Sequence, residues 1–162
     1  MPFPPPMLAL YEPDIPQNTG TMLRTCACLG IDAAIIEPAA FPVSDRAFRR
    51  AGMDYLDQVA INRFASYDHF EGWRRSAGRR SILLTTQAAD DPWCFSFRPD
   101  DILMVGRESA GVPAAVHAAA DARLRIPMRP AMRSLNVAVA AAIVLGEMRR
   151  QIGGNTERVA AK

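Results

Sequence analysis

"RIPMRPAMRSLNVAVAAAIV", residues 125–144, decides the fold. It leaves a strand-like run (residues 123–127), crosses a basic loop stiffened by Pro130, and enters a helix from Ser134 to about Gln151. Small and apolar residues make up nearly all of that helix between Val137 and Gly146. A helix that is hydrophobic all round is buried. The last helix of a small domain is rarely covered on every side by its own chain, so residues 137–146 predict a subunit interface. The alternative is a helix tucked wholly beneath the sheet.

Outward from this stretch, short apolar runs alternate with helical segments. Strands are expected at residues 7–11, 31–37, 81–86 and 102–105, and residues 56–62 look extended. Helices are expected at residues 18–29, with Gly30 as C-cap, and in a short piece from Ser44 through Ala51. Ser66 caps an amphipathic segment to about Arg75, and Pro113, at a favoured first helical position, opens residues 112–120. Strands apolar on both faces and separated by helices argue for an α/β fold, a parallel sheet covered by helices on both faces. Residues 1–152 read as a single domain and residues 153–162 as a flexible C-terminal tail.

Composition narrows the function classes. The chain has 162 residues, 49% hydrophobic and 22% charged, which is globular rather than disordered. A net charge of +2 is too small to imply a polyanionic partner by itself, so any nucleic-acid reading must rest on clustering. Cys26, Cys28 and Cys94 show no Cys-x-x-Cys spacing and read as reduced cysteines of a cytoplasmic protein. Prolines interrupt the first residues where a secretory signal needs an apolar helix, and no apolar run approaches the roughly 20 residues of a membrane span. His69 and His117 fall in helical segments away from the loops below, and neither Gly-x-Ser-x-Gly nor His-Glu-x-x-His occurs.

Three loops carry polar groups at strand ends, where open α/β sheets hold their ligands. In "YEPDIPQNTGTMLR", residues 11–24, Asn18, Thr19 and Gly20 stand at a helix start, where they cap the helix or meet an anion. Arg24 lies about one and a half turns further on. In "MVGRESAGVP", residues 104–113, Gly106 and Gly111 permit tight backbone turns on either side of Glu108. In the opening stretch, Ser134 and Asn136 add short polar groups, and most donors and acceptors are backbone. Such edges with apolar walls suit a neutral adenine and ribose. Basic residues cluster at Arg46, Arg49 and Arg50, placed to track phosphates, and at residues 74–80, read as a solvated helix face.

In this order the three loops resemble those of the SPOUT class of RNA methyltransferases, and within it the TrmL (YibK-like) group. "LYEPDIPQNTGTMLRTCA", "MVGRESAGVP" and "RIPMRPAMRSLNVAVAAAI" are similar to its first, second and third motifs, and "RRAGMDY" and "LLTT" to further stretches. The resemblance runs from about Leu8 to Gln151. It implies a C-terminal trefoil knot, a homodimer, bound S-adenosyl-L-methionine, no metal, and 2'-O-methylation of the wobble nucleotide in the tRNA anticodon stem-loop. By the same matching, Leu84, Gly106, Ile126 and Ser134 would line the cofactor site. Arg24 would be the catalytic arginine, with Asn18, Glu108 and Asn136 supporting the reacting centre, and Arg46, Arg49 and Arg50 would hold RNA. Arg107 stands where proline is common in the group, and Gly146 where an aromatic residue often stands. Competing expectations are methylation of another tRNA or rRNA site, and a non-catalytic RNA-binding module of the same fold.

Overall fold

Strand β1, Met7–Tyr11, is buried at every position, as a strand must be when both faces of its sheet are covered. Its residues alternate between two cores. Leu8 and Leu10 join one cluster, while Met7, Ala9 and Tyr11 join the other. The computed structural model describes residues 3–42, 50 and 53–153. After β1 come α1 (Pro16–Leu29), β2 (Asp32–Ile36), a 3-10 helix (Met53–Gln58), β3 (Ile61–Phe64) and α2 (Tyr67–Ser76). Then follow β4 (Ser81–Leu84), β5 (Ile102–Val105), α3 (Ala114–Ala119), β6 (Ala122–Leu124) and α4 (Val137–Ile152).

The six strands form one sheet in the order β3-β2-β1-β5-β4-β6, and every pairing is parallel. The expected α/β fold is therefore present. Helices α1 and α4 cover one face, where Met22, Leu23 and Cys26 meet Ala141, Val144, Leu145 and Met148. Helices α2 and α3 cover the other through Phe70 and Val116. Each fully buried Leu or Ile here is worth about 1.5–3 kcal/mol.

Local chemistry sets the element ends, and several differ from the sequence expectation. Helix α1 starts at Pro16, two residues before Asn18, because Pro in the first turn lacks only an N–H that would be orphaned anyway. Gly30 ends it in the left-handed region at φ 64°. Residues 56–62 are not one extended run: Met53–Gln58 closes as a 3-10 helix before β3 begins. Pro113 is the N-cap of α3 rather than its first helical residue. The strand expected at 123–127 is Ala122–Leu124, so Ile126 lies in the following loop. Ser134 also lies in that loop, and α4 begins at Val137 because the Asn136 side chain accepts hydrogen bonds from the N–H groups of Ala138 and Val139. The helix expected at 44–51 falls almost wholly outside the described residues.

One further expectation is corrected, and one alternative is removed. The arginines at 74–80 are not a solvated face. Arg74 and Arg79 are buried, Arg74 donating to Glu71, Asp121 and the Arg79 carbonyl, and Arg79 to the carbonyls of Asp100 and Pro5. Arg80 pairs with the buried Asp101. Only Arg75 of the four stands largely in water. The alternative of an α4 tucked wholly beneath the sheet does not hold: Ala138, Ala141, Val144, Leu145 and Met148 are buried, but Val139 is 49% and Ile143 38% exposed.

Candidate functional site

The carboxyl ends of β4, β5 and β6 open onto a cavity of about 610 Å3, closed on one side by the start of α1. Small-molecule sites typically measure roughly 300–1,000 Å3. Leu84, Val105, Ile126, Leu135 and Val137 give it apolar walls; Asn18, Glu108, Ser134 and Asn136 give it short polar groups. All four residues expected to line a cofactor site, Leu84, Gly106, Ile126 and Ser134, are in that lining. So are three of the four expected to support the reaction.

The loop after β5 is folded back on itself. The Arg107 N–H donates to the Gly111 carbonyl at 3.0 Å, and the Gly111 N–H donates to the Arg107 carbonyl at 2.8 Å. Gly111 takes φ 61° to close this pair. A Cβ on Gly106 would lie 2.7 Å from the Gly111 carbonyl carbon, a separation that real side chains do not show. Glycine is required at 106 for that close approach.

A directional chain of hydrogen bonds joins the three loops. Backbone N–H groups can only donate, so the two at the start of α4 fix the oxygen of Asn136 toward the helix. Its Nδ2 must then face Asn18, and it donates to Asn18 Oδ1 at 3.1 Å. Asn18 in turn presents Nδ2 to Glu108 Oε1, also at 3.1 Å. Sequence reasoning supplied these three residues but missed the anchor beyond them. Asp14 accepts from the Glu108 N–H at 3.1 Å, and from both the N–H and the hydroxyl of Ser109. The signal for Asp14 was only its place beside Asn18 in the first loop.

The two carboxyls sit at opposite ends of the titration scale. Burial, then the Asp14 side chain beside it, pushes Glu108 up to about 7. Burial also acts to raise Asp14, but the hydrogen bonds from Glu108 and Ser109 outweigh it and hold Asp14 down at about 2. Glu108 Oε2 is buried with no hydrogen-bond partner among the described residues. A carboxyl titrating near neutrality in a cleft is the kind of group that active sites collect.

Arg24 does not line the cavity. It stands on the exposed side of α1 with its guanidinium 4.7 Å from the Tyr55 ring centroid. Arg50 is exposed, and Arg46 and Arg49 lie outside the described residues. The structure also places Thr85, Arg107, Arg125 and Arg133, to which the sequence assigned no site role, in the cavity lining. The described residues hold no group of three or more His, Cys, Asp or Glu placed to bind a metal ion.

Comparison with known proteins gives this geometry a context. The SpoU rRNA Methylase family matches residues 5–146. A tRNA (cytidine(34)-2'-O)-methyltransferase of Beijerinckia indica subsp. indica is 71% identical over 147 residues, covering 91% of this chain and 92% of that protein. A solved structure described as giving insights into the 2-OH methylation of C/U34 on tRNA superposes with a TM-score of 0.88. It is 36% identical and covers 93% of this chain and 97% of its own. An AdoMet-bound rRNA methyltransferase from Sinorhizobium meliloti superposes with a TM-score of 0.85 at 28% identity, covering 92% of this chain and 57% of its own.

Proposed function

The chain belongs to the SpoU rRNA Methylase family, and from that premise we propose how its own residues carry out 2'-O-methylation of nucleotide 34 of tRNA. The activity is methyl transfer from S-adenosylmethionine to the ribose of the wobble cytidine or modified uridine. The observation that carries the reading is the single cavity on which all three loops meet.

The lining fits the cofactor. Apolar side chains at Leu84, Ile126 and Leu135 suit an adenine face, and the pinched Gly106–Gly111 turn offers backbone edges without a side chain in the way. Ser134 adds one hydroxyl. When bound, S-adenosylmethionine supplies a methyl group already activated on a sulfonium. The protein's task is alignment, which in favourable cases lowers a barrier by about 7–11 kcal/mol. Asn18, held from both sides by Asn136 and Glu108, presents a fixed amide to the ribose. Glu108 stands behind it as a group able to hold or release a proton near neutral pH. Arg24 is a poor base, since guanidinium groups keep their proton; its place on α1 outside the cavity suits a clamp on a phosphate or on the developing 2'-oxyanion.

Two further readings belong to the proposal. A second copy of the chain covers the strip formed by Val139 and Ile143 on α4, both exposed here. Sedimentation that finds only monomer at micromolar concentration refutes this. The protein works in the cytoplasm as a metal-independent enzyme with a trefoil-knotted C-terminal end; among the described residues no helix is long and apolar enough to cross a membrane. Loss of activity in chelator, restored by a divalent ion, refutes the metal-independent part.

The test is paired. Purified protein with S-adenosylmethionine and unmodified tRNA is expected to yield 2'-O-methylated nucleoside at position 34 by mass spectrometry. Arg24→Ala is expected to abolish that product while calorimetry shows cofactor affinity intact. Product at another position, or loss of cofactor binding in the variant, overturns the assignment.

A further inference from the structure

Arg107 is a cation whose ion-pair partners stand at a distance. Its backbone is locked by the paired hydrogen bonds to Gly111, so the direction of its side chain is set by the turn. The guanidinium lines the cavity, yet its nearest anions are Glu12 Oε2 and Asp14 Oδ2, each at 3.8 Å and beyond hydrogen-bonding reach. Asp14 cannot come closer without releasing the Glu108 and Ser109 N–H groups that it already serves. The Nε of Arg107 is buried without an acceptor among the described residues. An arginine fork carries five N–H donors matched to two oxygens of a phosphate or carboxylate. Leaving the buried Nε without an acceptor costs free energy unless a ligand takes it.

We infer that Arg107 clamps a phosphodiester of the substrate RNA next to the target ribose, held in waiting by Glu12 and Asp14 until the strand arrives. The inference rests on the reading above that the acceptor is RNA. Three observations favour a polymer phosphate over the carboxylate of the cofactor. The side chain is 38% exposed, and Ser109 and Ala110 next along the chain are exposed too, so the guanidinium stands at the rim rather than the floor. Its neighbours come from the β1–α1 loop, which also leads to Asn18 and Arg24 on the acceptor side. Arg125 and Arg133 line the same cavity and are exposed, adding two cations that the phosphates of a strand can meet.

The geometry makes two variants act in opposite directions. Arg107→Gln removes the clamp and the two 3.8 Å ion pairs, but no side-chain hydrogen bond among the described residues. It is expected to weaken tRNA binding about ten- to a hundredfold and to lower the slope of log affinity against log salt by about 0.7, one single-strand phosphate contact. Glu12→Gln removes a competing anion and is expected to tighten tRNA binding. Cofactor affinity by calorimetry should stay unchanged in both. An anticodon stem-loop carrying a neutral methylphosphonate beside nucleotide 34 should bind the parent more weakly and Arg107→Gln no more weakly than the unmodified loop does. An unchanged salt slope in Arg107→Gln overturns the inference. So does lost cofactor affinity with RNA binding intact, which assigns the guanidinium to the cofactor carboxylate. Weaker RNA binding in Glu12→Gln also overturns it, by showing a purely structural ion pair. If the parent neither binds nor methylates tRNA, the functional reading itself fails, whatever the variants do.

Discussion

Replacing Asn136 by Asp separates two tasks that one side chain performs. As the N-cap of α4, Asn136 accepts from two helical N–H groups, at 2.9 and 3.2 Å. As a link in the loop chain, it donates to Asn18 Oδ1 at 3.1 Å. An Asp oxygen keeps the cap and adds a negative charge at a helix N-terminus, favourable by about 0.3–1 kcal/mol. Its second oxygen, however, faces the Asn18 carbonyl oxygen with no proton between them. Asn18 must then turn its amide over, which sets its oxygen against Glu108 Oε1, tolerable only while Glu108 carries a proton there. Because Asn136 is exposed, the cost belongs at the lower end for an unpaired polar group, about 1–2 kcal/mol. If that appears wholly in the transition state, turnover falls roughly 5- to 30-fold. Asn136→Ala loses the cap as well, about 1 kcal/mol, or roughly 2–4 °C in melting temperature for a chain of this size. Thermal melts and single-turnover methylation distinguish the cases. The Asp variant should melt close to the parent and above the Ala variant yet react more slowly, and its defect should shrink as pH falls. Parental turnover in Asn136→Asp, or a melt as low as that of the Ala variant, refutes the directional chain.

Gly106→Ala should be severe, because the new Cβ meets backbone that cannot turn aside. Calorimetry is expected to show cofactor binding lost or weakened at least tenfold, and Ala tolerated with full affinity would show that the turn is not pinched. Glu108→Gln should change the pH dependence of stability. The Glu108 carboxyl titrates at about 7 in the folded chain against 4.5 for an ordinary one. The fold therefore favours the protonated form, and the stability this contributes below about pH 4.5 is lost as pH rises through about 7. Gln mimics that protonated form and does not titrate. Allowing for solvent screening at a half-exposed group, the variant should gain about 1–2 kcal/mol on the parent between pH 5 and 8 in denaturant melts. Parallel curves would remove Glu108 from the titration.

The strands were legible because β-branched and aliphatic runs such as Ile102–Val105 have no polar face to mislead. The three loops were legible because their Gly, Asn and Ser residues stand where strands give way to helices. What could not be read was set by partners distant in the chain. Asp14 finds Ser109, 95 residues later, and Arg74 finds Asp121, 47 residues later. Without those acids in view, residues 74–80 look like any solvated basic run. The start of α4 was misplaced by three residues for a local reason. Ser134 and Asn136 are both competent caps, and only the direction of the incoming loop decides between them.

The sheet order also bears on how the chain is made. Strand β1 lies mid-sheet between β2 and β5. Its neighbour β2 emerges from the ribosome soon after it, but Ile102, which lies opposite Met7, is still some ninety residues away. At bacterial or eukaryotic elongation rates of about 5–20 residues per second, that edge stays open for roughly 5–20 s. During that time it carries an apolar row with unpaired N–H and C=O groups, the arrangement most prone to capture a foreign strand. The half-made protein thus passes through a period when a strand buried at every position in the finished fold is open along one edge. A chaperone that shields apolar strands on nascent chains should matter more to the yield of this protein than to its stability once complete.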